Sequence, residues 1–218
     1  MTKKAIIFDF DNTLVNSLKY WYFEMNKTTF KLYGKAPNKE FVKLRQGKCN
    51  KEIAEIFLQL TGLKISTDEV FAQWNKLMYN NYTSKIKLIR GAKEFLLSQK
   101  EQGKKIILAT ATNIELVKKV LPHFELDIFD EIHSENTLKV GKNNPDFFKL
   151  LLDNLKLKSE DVFLFEDSFE SIMNARKYGI ECCALIHNFN KKHYYELKDN
   201  CRLVIKNYKD KRLSNLDI

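Results

Sequence analysis

The sequence predicts an α/β fold: a parallel sheet with helices on both faces, into which an all-helical domain is inserted. Three observations carry this reading. Short apolar runs, too short for helices, recur along most of the chain. Helical stretches with recognisable ends lie between them. One interval, 17–87, breaks the alternation and reads as helix throughout. The expected division is therefore a core of 1–16 and 88–218, with 17–87 as a helical cap, because an insert directly after the first strand is a lid rather than another layer of the sheet.

In chain order, Lys4–Phe10 (KAIIFDF) ends an apolar run in acidic residues, as a buried parallel strand with chemistry at its carboxyl end does. Within the insert, helices are expected over Leu18–Leu32, Lys39–Gln46, Lys51–Leu60 and Asp68–Tyr82, the last after Thr67 as cap. Ile53, Ile56, Phe57 and Leu60, and likewise Val70, Trp74 and Leu77, recur at the three-to-four spacing of packed amphipathic helices. Ala92–Gln102 then forms a helix stopped by Gly103, and Lys105–Ala109 the next strand. Asn113–Leu121 is a helix ending before Pro122. Another begins with Asn144 as cap and Pro145 at its first turn, the position where the missing N–H of proline costs nothing. Strand Val162–Phe165, helix Ser168–Tyr178 ending at Gly179, and strands Cys182–Ile186 and Leu203–Ile205 complete the pattern. The polar tail after Lys206 is expected to fray.

Composition narrows the class. With 218 residues, 44% of them hydrophobic, the chain can bury a proper core without disulfide or zinc staples. No apolar run approaches a membrane span, and MTKKAIIFDFDNT meets carboxylates too early for a secretory signal, so a soluble, cytoplasmic protein is expected. Cys49, Cys182, Cys183 and Cys201 form no C-x-x-C pair and read as small hydrophobes in a reducing compartment. The net charge of +9 comes almost wholly from scattered lysines, with arginine only at 45, 90, 176, 202 and 212. That is not the clustered, Arg-rich surface of a nucleic-acid binder, although it favours anionic substrates. His123, His133, His187 and His193 show no zinc-site spacing, and no G-x-S-x-G elbow is present.

The chemistry lies at the ends of the apolar runs. Asp9 and Asp11 are two residues apart, so on extended chain both carboxylates face one side. Such a pair about 4 Å apart repels by ~4 kcal/mol at an effective dielectric near 20, so a cation or a proton must hold it together. Alone, D-x-D is equally a pair of turn or capping acids. A second acidic pair, Glu166-Asp167, ends another run, and a parallel sheet would bring both pairs to one edge. Oxygen-only donors without His or Cys suit a hard cation, Mg²⁺ above all. Thr110 closes the run IILA before Ala111, Thr112 and Asn113 at a helix start, where hydroxyls and free N–H groups serve either as a plain cap or as oxyanion donors. Lys142 lies on the loop that Pro145 turns into a helix.

In this order the motifs resemble those of the haloacid dehalogenase-like hydrolases, and the resemblance spans essentially the whole chain. DFDNTLVNS is similar to the family's first motif, ILAT to its second, GKNNPDFF to its third and FEDSFESIMNARKYGI to its fourth. The helical insert is similar to that of the alpha-helical-cap subfamily, which includes phosphoglycolate phosphatases and beta-phosphoglucomutases. The resemblance implies a Rossmann-like core, with Asp9 as nucleophile forming an aspartyl-phosphate and Asp11 as acid and base. It implies that Thr110 and Lys142 hold the transferring phosphoryl group. Mg²⁺ would be bound by Asp9, the Asp11 carbonyl, Asp167 and Glu166. Thr13, Thr112 and Asn113 are further substrate-binding candidates. In the cap, Arg45 and Lys48, flanking Gln46-Gly47, resemble residues that contact distal substrate groups. Asn12 replaces the commoner glycine, Asn143 a proline and Ser171 a glycine, and none of these removes a reacting group.

Three functions then compete. A phosphatase for a small phosphorylated metabolite is favoured because the dehalogenase branch lacks the second acid, here Asp11. Phosphosugar mutases of the family carry a histidine after the first motif and a lysine after the second, where this chain has Trp21 and Asn113. A non-enzymatic polyanion-binding scaffold would have lost its carboxylates, and all are retained. The motifs do not name the substrate or the oligomeric state.

Overall fold

In the computed structural model, which describes residues 2–36, 38–44, 50–216 and 218, the alternating apolar runs become six parallel strands. They are β1 (Ala5–Phe8), β2 (Lys105–Thr110), β3 (Glu131–Ser134), β4 (Val162–Glu166), β5 (Glu181–Leu185) and β6 (Leu203–Ile205), in the sheet order β3-β2-β1-β4-β5-β6. The chain divides into two compact units, Met1–Asn16 with Leu88–Ile218, and Ser17–Lys87.

The sheet belongs to the first unit and is buried on both faces, which is why its strands read as continuous apolar runs rather than as alternation. On one face Ala5 and Ile7 of β1, Ile107 and Ala109 of β2, and Val162 and Leu164 of β4 pack on Phe147, Phe148, Leu151 and Ile172. The other face carries Phe8 stacked on Phe165 at 5.0 Å between ring centroids. Phe95 meets Phe165 edge-on at 5.2 Å. In register, Phe8 lies beside Leu108 of β2 and Phe165 of β4, so β1 runs down the middle of the sheet.

Helices Ala92–Glu101, Ile114–Val120, Asp146–Leu155, Phe169–Lys177 and Tyr194–Asn200 surround the sheet. Their starts are capped as the side chains dictate. Asn113 Oδ1 accepts from the N–H groups of Glu115 and Leu116, Asn144 Oδ1 from that of Asp146, and Ser168 Oγ from that of Ser171.

Two features of this unit depart from expectation. β3 has no apolar run: its sequence EIHS is half-buried because the strand lies at the sheet edge and, among the described residues, pairs only with β2. The tail after Lys206 packs onto the unit through Tyr208 and Leu213. Tyr208 is buried with its ring 5.3 Å from Phe95 and 5.6 Å from Phe165, and its N–H donates to the Arg90 carbonyl. Polar neighbours hid this anchor in the sequence.

The second unit is helical: Met25–Leu32, Lys39–Leu44, Asn50–Thr61 and Thr67–Ser84. Phe57 is its hub, with Phe30 at 5.1 Å, Phe41 at 5.9 Å and Trp74 at 6.0 Å, mostly edge-on. The first expected helix widens into a π turn over Tyr20–Glu24 before continuing as Met25–Leu32. There Trp21 Nε1 donates to Tyr82 Oη and Tyr20 Oη to the Lys85 carbonyl. The cap of the last helix is Ser66 rather than Thr67. Ser66 Oγ accepts from the Glu69 N–H while the Glu69 carboxylate accepts from the Ser66 N–H, a reciprocal pair that Thr67 lies too close to Glu69 to form. Among the described residues, no helix is long and apolar enough to cross a membrane.

Candidate active site

Parallel strands deliver their carboxyl ends to one edge, and β1, β2 and β4 are adjacent. Asp9 follows β1 directly, Thr110 closes β2, Glu166 closes β4 and Asp167 comes next. Residues more than a hundred positions apart thus share one small volume: a carboxylate oxygen from each of Asp9, Glu166 and Asp167 lies within 4.8 Å of the others.

Beyond Asp9 the chain turns back sharply. Asn12 takes a left-handed conformation, φ 57°, which asparagine tolerates better than most side chains. The turn is closed by N–H to carbonyl bonds from Asn12 to Val15 and from Leu14 and Val15 to Phe10. It thereby accommodates the departure at position 12 from the family's glycine.

Lys142 enters from the loop before the helix Asp146–Leu155. Its ammonium donates to Asp9 Oδ1 at 2.6 Å, to the Ala109 carbonyl at 2.8 Å and to Glu166 Oε2 at 3.1 Å. Asp9, Lys142 and Glu166 are all at most 6% exposed, so the pairing stands almost free of solvent screening. Two residues unmarked in the sequence hold this loop. Glu135 Oε1 accepts from the Lys142 N–H at 2.8 Å, and Asn174 Nδ2 donates to the Asn143 carbonyl at 2.8 Å. Nothing local in the sequence marks either contact, because both partners are settled by the tertiary fold.

The charges do not balance locally. Burial, opposed by Lys142 and reinforced by Asp167 and Asp11, pushes the Asp9 carboxyl up to about 7. Burial and Asp9 push Glu166 well above the usual carboxylate range, with Lys142 and Ser171 pulling back only in part. Burial disfavours the Lys142 ammonium, but Asp9 and Glu166 outweigh it and raise the lysine above its ordinary value. Three carboxylates thus face one ammonium, a surplus of negative charge that a divalent cation would neutralise. The donors are all oxygen, and these residues fit a hard ion such as Mg²⁺.

The remaining candidates fall into distinct places. Thr110 Oγ1 accepts from the Thr112 N–H at 3.0 Å, which leaves its hydrogen to donate elsewhere. Thr112 donates its hydroxyl to Asp11 Oδ2 at 2.6 Å, which fixes that carboxylate. The Asn113 side-chain oxygen is used in capping a helix, which leaves its side-chain nitrogen for other contacts. Thr13 is fully buried. Arg45 and Lys48 lie outside the described residues. Cys182 and Cys183 are buried free thiols, raised well above the ordinary value chiefly by burial, and Cys201 is also free; Cys49 lies outside the described residues.

Comparison with known proteins places this arrangement. A family model described as haloacid dehalogenase-like hydrolase matches residues 6–185. The chain is similar to the phosphorylated carbohydrates phosphatase of Thermotoga maritima, 26% identical over 189 residues, covering 86% of this chain and 87% of that protein. CbbY from Rhodobacter sphaeroides, solved in complex with phosphate, matches with a TM-score of 0.83 and 21% identity over 100% of both chains. A CbbY mutant in complex with xylulose-(1,5)bisphosphate gives a TM-score of 0.84 and 20% identity, again over 100% of both chains. At these identities the structural likenesses speak to the fold.

Proposed function

The chain belongs to the haloacid dehalogenase-like hydrolases and is a phosphatase, and we propose that it hydrolyses a small phosphorylated metabolite, a carbohydrate phosphate, with Mg²⁺ and through an aspartyl-phosphate on Asp9. One observation carries the reading: a buried ammonium pairs with Asp9 and Glu166 in a cluster that also includes Asp167. Burying that much charge is costly as packing and serves phosphoryl transfer, which needs positioning and neutralisation above all.

In this reading an Asp9 carboxylate oxygen attacks phosphorus, forming a P–O bond as the ester P–O bond breaks. Asp11 gives its proton to the departing alkoxide. It then takes one from the water that displaces Asp9, releasing inorganic phosphate and restoring both acids. The Thr112 hydroxyl keeps Asp11 in place during both transfers. The Thr110 hydroxyl and the Lys142 ammonium donate to the phosphoryl oxygens, where donors aimed at developing charge are most effective. Asp9, the Asp11 carbonyl, Glu166 and Asp167 would hold Mg²⁺, which would neutralise charge on the phosphoryl group. Water as acceptor is supported by Asn113, which caps a helix where the family's mutases carry a lysine. The carbohydrate phosphate follows the name of the Thermotoga relative.

The test is a panel of sugar phosphates and other phosphorylated metabolites with Mg²⁺ present or chelated. Inorganic phosphate released only with Mg²⁺ supports the reading. Isomerised sugar phosphate without net phosphate release, or activity confined to protein or nucleic-acid phosphates, would contradict it.

A further inference from the structure

His187 carries no motif, yet it reaches the acidic cluster. β5 lies beside β4 with Ala184 opposite Glu166, so the loops after these strands leave the same edge together. His187 Nε2 lies 2.8 Å from Asp167 Oδ2. The other ring nitrogen is committed: the Phe189 N–H donates to Nδ1 at 3.2 Å, which makes Nδ1 an acceptor and leaves the ring proton on Nε2. The imidazole is thereby set to donate to the carboxylate through Nε2.

Asn190 fixes the loop in that position. Its Nδ2 donates to the backbone carbonyls of Asp167 and Leu185, both at 2.8 Å, and its Oδ1 accepts from the His187 N–H at 2.8 Å. Asn190 is buried, so these three bonds replace water contacts it has lost. One loop thus grips Asp167 twice, by its carboxylate through His187 and by its backbone through Asn190.

We propose that His187 is a positioning residue for the cation: it holds the Asp167 carboxylate in its metal-binding orientation, in a loop that Asn190 locks. The inference rests on the reading of Asp167 as a metal ligand. Partners behind a ligand typically govern affinity by 10–100-fold, roughly as the ligand is held or left to swing.

The experiment is calorimetric titration of the full chain with Mg²⁺ alone, without substrate. His187→Ala is expected to weaken binding by about 10–100-fold. His187→Gln, which restores an N–H donor at similar reach, is expected to bind close to the wild type. If the alanine variant does not fold, His187→Phe keeps the bulk without the donor and is expected to show the same loss. Wild-type affinity in the folded donor-less variant, while Asp167→Asn loses affinity, would overturn the role of His187 alone. If Asp167→Asn also binds Mg²⁺ as the wild type does, the metal-site reading falls and the inference with it. A His187→Gln variant as weak as the alanine one would likewise overturn the donor role.

Discussion

The two units bury opposite things. The sheet unit buries ionisable side chains at its carboxyl edge, where Asp9, Lys142 and Glu166 are each at most 6% exposed. Among the described residues of the helical unit, the buried polar side chains are neutral (Ser17, Asn26, Thr29 and Thr61), and its centre is the aromatic group around Phe57. Removing a group should therefore have opposite consequences in the two places. Where a carboxylate is removed from the sheet unit's cluster, activity falls while stability holds or rises, because surplus negative charge beside Lys142 is relieved. In the helical unit stability falls through lost packing.

The sharpest contrast comes from Asp9→Asn. Turnover is expected to drop by about 10⁴-fold or more, as when a nucleophile is removed, with circular dichroism unchanged. Residual activity near wild type would mean that another group attacks. Lys142→Met should lower kcat by about 10²–10³-fold, the usual loss when an electrostatic donor is taken from a developing charge. Phe57→Ala, in the helical unit, should instead cost ~3–5 kcal/mol of stability, read as an earlier melting transition. A melting curve unchanged by it would break the comparison.

A pH series sharpens the same point. Asp9 is raised from 3.8 to about 7, and Glu166 moves in the same direction. Groups raised in the folded state favour folding while protonated, so the metal-free protein should lose stability as pH climbs from about 4 through about 7. Lys142 stays charged across this window and does not reverse the sign. The expected change is several degrees in Tm, at ~2–4 °C for each kcal/mol in a chain of this size. Mg²⁺ should restore most of it above pH 7, and Asp9→Asn should flatten the curve. The smallest effect is expected of Arg45→Ala, a modest rise in KM exceeding any fall in kcat; unchanged kinetics across dianionic substrates would remove Arg45 from substrate binding.

What the sequence made legible follows from where the information resides. β1, β2 and β4 are buried on both faces, so their apolar runs and acidic or hydroxylic ends stand out in one dimension. β3 sits at an edge and Tyr208 is a lone aromatic among polar residues, so neither leaves a run to read. Asp9, Asp11, Glu166 and Asp167 were visible as paired acids at strand ends. Glu135, Asn174, His187 and Asn190 were not, because each acts on a partner set by the fold. The Thr112 contact was hidden for the same reason: a hydroxyl at a helix start signals a cap or an anion donor, and its bond to Asp11 depends on β1 lying beside β2.

The most direct measurement is acid quench of the enzyme during turnover of substrate radiolabelled at phosphorus, followed by peptide mapping. The account predicts label on the peptide containing Asp9, acid-stable and released by hydroxylamine as an acyl phosphate is, and absent from Asp9→Asn. Label on a different residue, or rapid turnover with no phosphorylated enzyme at any quench time, would contradict it.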